Sequence, residues 1–241
     1  MHTFIGENLT ARVARLLGSE IVGGGYSPGE VLPNEAQLGE RFDVGRSAIR
    51  EAVKLLTSKG LVDARPRRGT VVQPMTDWNY LDPDILQWTQ EASSDSKFLL
   101  ELAEMRLAFE PSAARLAAIS ATPADIERMR LALTEMEQAQ DGRGDPIRAD
   151  LRFHEAIVSA SHNRFMRPLV ALIGTALQLS FRVTNAATGR QGGDVAAHGR
   201  VFDAIREGNP DGAQAAMTDL LGDVRSVLRA STQSQTYSDP S

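Results

Sequence analysis

The sequence predicts an N-terminal α+β domain followed by a C-terminal domain that is entirely α-helical. Three observations support this prediction. At 241 residues the chain is long for one domain and sufficient for two. Apolar residues between positions 8 and 59 recur at helical spacing and are followed by two short β-rich runs. From residue 84 onward the helical spacing continues, and no strand-like alternation follows.

The N-terminal region, residues 1–73, predicts three helices and a β-hairpin. One apolar face runs along residues 8–22, and a second helix starts at Asn34, with Gln37 as its capping partner, and ends at Phe42. The third helix extends from Arg46 to Lys59 and stops at Gly60. The runs LVDA and GTVVQ then flank Arg-Pro-Arg-Arg. This order of elements is that of a winged helix-turn-helix.

Positive charge is concentrated in the same region. Between Val44 and Val72 there are seven basic and two acidic residues, a local charge of +5 in a chain whose formal net charge is -5. The basic residues are Arg46, Arg50, Lys54, Lys59, Arg65, Arg67 and Arg68. Such a reversal of sign is typical of a surface that binds a polyanion. The alternative is a solvated basic helix that balances its own acidic neighbours.

The remaining chain predicts a linker, a helical domain and a tail. Residues 74–83 contain two prolines and two aromatic residues without a period, which suits a linker that docks. Residues 84–230 form the all-α domain, and residues 231–241 are polar and predicted to be disordered. The predicted helices of the domain cover residues 84–91, 97–119, 124–140, 147–161, 167–185, 195–206 and 212–228.

Composition narrows the class of protein further. The absence of cysteine excludes disulfides, thiolate metal ligands and a cysteine nucleophile. Residues 1–15 lack the apolar run of a secretory signal, and Leu169 to Leu177, the most apolar stretch, is too short to span a bilayer. We therefore expect a soluble cytoplasmic protein that does not bind membranes.

Two sets of motifs resemble one family of bacterial regulators. The order of helix, GRSAIREAVKLL and a wing with RRGT resembles the winged-helix domain of the GntR family over residues 9–73. In the second half, LAEMRLAFEPSAARLAA, DLRFHEAIVSASHN and HGRVFDAIREGNPDGAQAAM resemble the all-helical ligand domain, called FCD, of its FadR-type subgroup. The resemblance implies a homodimer that presents two modules to a palindromic operator in double-stranded DNA.

The third helix carries the candidate DNA contacts. Arg46 and Arg50 lie one helical turn apart, which suits contacts to guanine edges or phosphates, and Ser47 at the helix start suits a phosphate or base. The resemblance implies that these three residues contact DNA together with Arg67, Arg68 and Gly69 of the wing.

A second set of candidate residues is Asp150, His154 and His198. The first two are four apart and share one helix face, and a carboxylate with two imidazoles suits a divalent transition metal such as zinc, nickel or manganese. Buried, hydrogen-bonded histidines are the alternative. The resemblance implies that the trio represents three of the four family ligands, whereas the fourth position is Leu220.

The candidate effector residues are Arg106, Arg182, Asn185 and Arg190. Arg106 matches the family arginine that points into the ligand cavity, where a guanidinium suits a carboxylate effector, and the alternative is an ion pair with Glu104 or Glu110. The other three lie in a polar segment that suits a polyhydroxy acid such as a galactonate-like aldonate. Asn185 replaces an aromatic residue found in galactonate-type members.

The expected function is repression of a sugar-acid catabolic operon, with release from the operator when the sugar acid binds. Two alternatives remain open from the sequence. A metal-dependent hydrolase or isomerase would use Asp150, His154 and His198, although no glutamate or lysine stands beside the trio as a base. A metal-sensing regulator would respond to the ion itself, although it would lack the fourth ligand.

Overall fold

A computed structural model describes residues 8–65, 67–92, 96–188 and 193–236, with side chains except those of residues 96, 182–188 and 231–236. The chain divides into two compact units, with the division at residue 94. The first unit contains helices and a small sheet, and the described part of the second contains helices only. The predicted α+β domain followed by an all-α domain is confirmed.

The N-terminal unit has the predicted order of elements. Its helices are α1 (Leu9–Val22), α2 (Glu35–Phe42), α3 (Arg46–Ser58) and α4 (Pro83–Ala92), with a 3-10 turn at Met75–Asp77. Strands β1 (Val62–Arg65) and β2 (Gly69–Val72) form an antiparallel hairpin in which Val62 pairs with Val72. Asn34 and Gln37 form the expected capping box at the start of α2.

The two units divide at residue 94 and not at the expected residue 83, because helix α4 belongs to the first unit. It packs against α1 within the first unit. The Trp88 ring is buried and lies so close to Gly18 of α1 that a Cβ at Gly18 would be 2.4 Å from the ring. Because the ring covers apolar surface on α1, residues 83–92 complete the core of the first unit.

The C-terminal unit consists of six helices in the described residues. They are α5 (Ser96–Ser120), α6 (Pro123–Gln140), α7 (Pro146–Ala160), α8 (Val170–Thr188), α9 (Val195–Arg206) and α10 (Pro210–Thr236), with a 3-10 turn at Arg167–Leu169. Their shared core includes Met129, Phe153, Ile173, Val201 and Met217. No described helix is long and apolar enough to cross a membrane.

Helix α10 extends beyond the boundary expected at residue 231. Its last turns, to Thr236, contain the polar sequence that was expected to be disordered. Adding a residue to an existing helix gains one hydrogen bond for each residue ordered, so a polar segment joined to a long helix can remain helical. Only residues 237–241 of the expected tail lie outside the described part of the chain.

Thr122 caps α6, and its removal is expected to destabilise the protein. The Thr122 hydroxyl accepts from the backbone of Asp125, whose carboxylate accepts from Thr122 in return. We expect Thr122→Ala to lower the free energy of unfolding by about 1 kcal/mol, measured as a lower urea midpoint at constant slope. Thr134→Ala is the control, because the Thr134 hydroxyl bonds only to the preceding turn of its own helix. Equal losses would contradict the assignment.

Candidate functional site

The exposed face of α3 carries the predicted DNA contacts. Arg46, Ser47 and Arg50 are exposed, whereas Ile49 and Leu56 on the opposite side are buried. Arg46 and Ser47 occupy the first turn of the helix. Since the major groove of B-DNA admits one helix, this turn is the part of α3 that is suited to reach base edges.

The basic residues of this region differ in the partners they already have. Arg50 is paired with Glu35 of α2 at 2.8 Å, and both side chains are substantially exposed. Arg46, Arg67 and Arg68, in contrast, have no ion pair among the described residues. Further pairs within the region are Lys54 with Glu51 and Arg65 with Asp63. The three unpaired arginines are therefore the cations most available to a polyanion.

Lys59 does not belong to this exposed face. Its side chain is 13% exposed and its ammonium lies 2.8 Å from both Asp82 and Asp84. Burial opposes its charge, but hydrogen bonds to these two carboxylates raise the pKa of Lys59 above its ordinary value. Lys59 therefore links the C-terminal end of α3 to the start of α4 and is not part of the expected polyanion surface.

The tip of the hairpin forms the wing. Arg67 and Gly69 both have positive φ, 65° and 83°, as the tight turn requires. The backbone of β2 is also bonded to the segment before α2, with Leu32 donating to Thr70 and Val72 donating to Glu30. The wing is thus held on both sides, and Arg67 and Arg68 project from its exposed end.

In the C-terminal unit, the predicted trio comes together. Asp150 and His154 lie on α7 and His198 lies on α9, all three are buried, and one ligand atom from each lies within 4.8 Å of the others. The Oδ1 atom of Asp150 is 3.2 Å from His154 Nε2 and 3.6 Å from His198 Nε2. Metal–ligand bonds of about 2.0 Å in a tetrahedral zinc site separate neighbouring ligand atoms by about 3.3 Å. The spacing therefore suits a metal ion.

The second ring nitrogen of each histidine is oriented by the surrounding protein. His198 Nδ1 is 2.7 Å from the backbone oxygen of Asp194, and His154 Nδ1 faces the carboxylate of Glu110. Because both partners accept, a neutral ring at either position would carry its proton on Nδ1 and leave Nε2 facing Asp150. This is the arrangement that orients histidine ligands in metal sites.

Unpartnered buried atoms also favour an ion. Within the described residues, four buried atoms of this site, Asp150 Oδ1, His198 Nε2, His154 Nδ1 and Glu110 Oε2, have no well-formed hydrogen bond. Two buried acceptors facing each other are costly unless a cation or a proton lies between them. Asp150, His154 and His198 would hold a divalent metal, which would supply open coordination positions for oxygen ligands.

The charges of the site follow from its contacts. Burial raises the pKa of a carboxyl group, but the facing imidazoles hold the pKa of Asp150 well below its usual range. Burial acts in the same way on Glu110, but Arg106 and His154 lower the pKa of Glu110 to about 2. Burial and Arg106 lower the pKa of His154, whereas Glu110 and Asp150 raise it, and the balance is upward. In the absence of a metal, a proton therefore competes for the His154 ring.

Arg106 forms the ion pair given as the alternative and also lies at the cavity. Its Nε donates to Glu110 at 2.5 Å, which is the ion pair given as the alternative. Its side chain also lines the same cavity as the trio. The significance of Glu110 for the metal site is not evident from the sequence, because its contact with His154 joins α5 to α7 across 44 positions.

Gly193 is a further position that sequence reasoning missed. A Cβ at this residue would lie 2.6 Å from Asp150 Oδ2 and 3.0 Å from His198 Cε1. Glycine therefore allows the backbone before α9 to pack directly on the trio. No local sequence signal identifies this role, because the contact joins α7 to the start of α9.

A cavity of about 190 Å³ adjoins the trio. Its polar side is formed by Arg106, Asp150, His154 and His198, and Leu220 of α10 lies in the wall. The remaining lining includes Leu177, Ser180, Phe181, Gly193, Asp194, Ala197, Leu221, Asp223, Val224 and Val227. Since a cavity of about 150 Å³ can hold a benzene molecule, this one has room for a small organic molecule. A carboxylate is the group that the buried guanidinium suits best.

The other expected effector residues are only partly described. Arg182 and Asn185 lie in α8, but their side chains are outside the described residues, and Arg190 lies wholly outside them. Their proposed contacts with a sugar acid therefore rest on the sequence.

The winged helix with exposed arginines and the helical unit with a cavity beside buried polar residues are the features of a transcription regulator that binds DNA and a small molecule. Residues 9–72 match the model described as bacterial regulatory proteins, gntR family, and residues 101–223 match the FCD domain. The chain belongs to the GntR family, in the group that carries an FCD domain. It is a regulator and not an enzyme.

Individual relatives agree with this assignment. The chain is 37% identical over 220 residues to the galactonate operon transcriptional repressor of Escherichia coli K12, covering 90% of this chain and 96% of that protein. It is 32% identical over 214 residues to the regulator LutR of Bacillus subtilis, covering 86% and 95%. A solved GntR structure from Streptococcus agalactiae is 27% identical, with a TM-score of 0.50 over 90% of this chain and 99% of that one.

Proposed function

We propose that the protein is a homodimeric repressor of a sugar-acid catabolic operon, and that a galactonate-like aldonate releases it from its operator. The observation that carries this proposal is a cavity lined by Arg106 together with Asp150, His154 and His198, whose spacing suits a metal ion. The likeness to a galactonate operon repressor supports the choice of effector class. The repressor would act in the cytoplasm, where its operator lies.

The operator contact would come from two winged helices. One module contacts a short stretch of DNA, and its phosphate contacts are weakened by salt. Two modules related by a dimer axis would read a palindromic site through Arg46, Ser47 and Arg50 in the major groove, with Arg67, Arg68 and Gly69 at the wing. Arg46, Arg67 and Arg68 are exposed and have no ion pair within the described part of the chain, which supports this role.

The effector would bind through its acid end. Zinc, nickel or manganese held by Asp150, His154 and His198 would accept effector oxygens, and Arg106 would bind the carboxylate. Arg182, Asn185 and Arg190 are the residues proposed for the remaining hydroxyl groups. To shift the protein from 99% operator-competent to 1%, the effector must favour the released state by about 5.5 kcal/mol.

We expect galactonate to weaken operator binding when a divalent metal is present. The measurement is a gel shift with purified protein and operator DNA, titrated with galactonate before and after chelation of metal, together with the metal content of the protein. Gluconate and succinate serve as controls for other aldonates and for unrelated acids. Operator binding that no aldonate changes would contradict the proposal, and release by zinc alone would favour a metal sensor.

A further inference from the structure

Arg106 lies next to both the candidate metal site and the cavity proposed for the effector. Its guanidinium is held at two points, with Nε donating to Glu110 Oε1 at 2.5 Å and Nη2 lying 3.2 Å from His154 Nε2. The side chain is 4% exposed, so water does not compete for these contacts. The first contact anchors the guanidinium, and the second covers a ring nitrogen of the candidate metal site.

The covered nitrogen is the one that a metal would need. The Nδ1 atom of His154 faces Glu110, so Nε2 is the atom left for coordination, and it lies 3.2 Å from Asp150 Oδ1. A guanidinium nitrogen only donates, so when the His154 ring is neutral with its proton on Nδ1, the contact with Arg106 uses the lone pair on Nε2. One lone pair serves either the arginine or the metal, and not both.

We propose that Arg106 and the metal ion exclude each other at His154 Nε2, so that metal entry frees the Nη2 edge of Arg106 to bind the effector carboxylate. The inference rests on the proposed function and adds its regulation. Since Glu110 retains Nε, the freed edge stays in the cavity that Arg106 already lines. Metal and effector would therefore bind cooperatively, and each would raise the affinity of the other by the same factor.

Simple repulsion between Arg106 and the ion is the competing explanation. It depends only on the positive charge, whereas exclusion depends on the second donor of the guanidinium. Lysine at position 106 keeps the charge next to Glu110 but has a single nitrogen, so it cannot also occupy the position of Nη2. Arg106→Lys thus separates the two explanations, and it keeps a cation beside the buried carboxylate.

The first test measures zinc alone by calorimetry on chelator-treated protein, repeated at several pH values because a proton competes with the metal for the His154 ring. We expect Arg106→Lys to bind zinc at least tenfold more tightly than the wild type, about 1.4 kcal/mol. Arg106→Met is the second variant. Arg115→Lys on the same helix is the matched control, because Arg115 is exposed and paired with Asp211 away from the trio. Circular dichroism confirms that each variant is folded.

Equal zinc affinity in the wild type and Arg106→Lys would overturn the proposal, as would tighter binding only in Arg106→Met or the absence of zinc binding in all folded variants. The second test repeats the titrations with saturating galactonate. Tighter zinc binding in the wild type, lost in Arg106→Lys, is expected, and an equal effect in both would also overturn the proposal. If galactonate does not bind, the proposed effector fails, while the first test still decides the role of Arg106.

Discussion

Replacing Arg46 by alanine is expected to cause a large loss of operator affinity. A good arginine–guanine pair contributes about 1–3 kcal/mol of discrimination, so a dimer that loses it at both half-sites loses about 2–6 kcal/mol. Arg46 lies in the first turn of α3 and has no ion pair among the described residues, so it enters the complex without breaking one. Arg50 must first give up part of its contact with Glu35. We therefore expect the larger effect at Arg46.

Fluorescence anisotropy at fixed salt, with operator and random DNA of equal length, measures this effect. Arg46→Ala should lower operator affinity and also the ratio of operator to random-sequence affinity. Arg41→Ala is the control, since Arg41 is already bound to Glu20 and Tyr26, and it should change affinity by little. An equal loss on both DNAs would show that Arg46 contacts phosphate rather than a base. No loss on either would contradict the placement of α3 in the groove.

Replacing Leu220 by histidine is expected to give the other large effect, a gain in metal affinity. Leu220 is 5% exposed and lines the same cavity as the three candidate ligands. A fourth imidazole would convert a three-ligand site with open positions into a closed four-ligand site of the kind that holds structural zinc. We expect zinc to bind on the order of 100-fold more tightly, about 2.7 kcal/mol. The response to galactonate should weaken, because a coordination position is lost.

Competition against a zinc-chelating dye measures this gain, and the gel shift described above measures the response to galactonate. Leu221→His is the matched control, because the neighbouring Leu221 is also buried and lines the same cavity. If the two variants bind zinc equally tightly, position 220 is not specifically placed to supply the fourth ligand. If Leu220→His binds no more tightly than the wild type, the cavity wall does not face the ion.

The proposed mutual exclusion of Arg106 and the metal affects how the zinc affinities of Leu220→His and Arg106→Lys are interpreted. In the metal-free protein, the guanidinium covers His154 Nε2, so measured zinc affinity includes the cost of displacing it. Leu220→His leaves that cost in place, whereas Arg106→Lys removes it. The effects of the two substitutions are therefore expected to be additive unless the new imidazole itself contacts position 106.

Features that depend on neighbouring residues were predictable from the sequence. The capping box of Asn34 and Gln37 and the apolar face of α3 each involve contacts within one or two helical turns. The pairing of Asp150 with His154 is of the same kind, because residues four apart share one helix face. The family motifs then provided the partner element, which carries His198.

The structure differs from the sequence-based expectation where residues distant in the sequence determine whether a side chain is buried. Lys59 appeared to belong to a basic surface, but Asp82 and Asp84 fold back onto it and hold it in an ion pair. Helix α4 appeared to begin the second domain, but its Trp88 ring covers Gly18 of α1. Neither the charge of a residue nor the helical period of a segment shows which core an element will join.

By itself, the sequence determined the two-part architecture, the exposed arginines of α3 and the identity of the three candidate ligands, because these follow from local periodicity and motif spacing. Only the tertiary structure decided that Glu110 orients His154, that Gly193 packs on Asp150, and that Arg106 covers the ring nitrogen a metal would use. Each of these contacts joins residues more than 40 positions apart. Such contacts depend on how the helices pack, which no short stretch of sequence specifies.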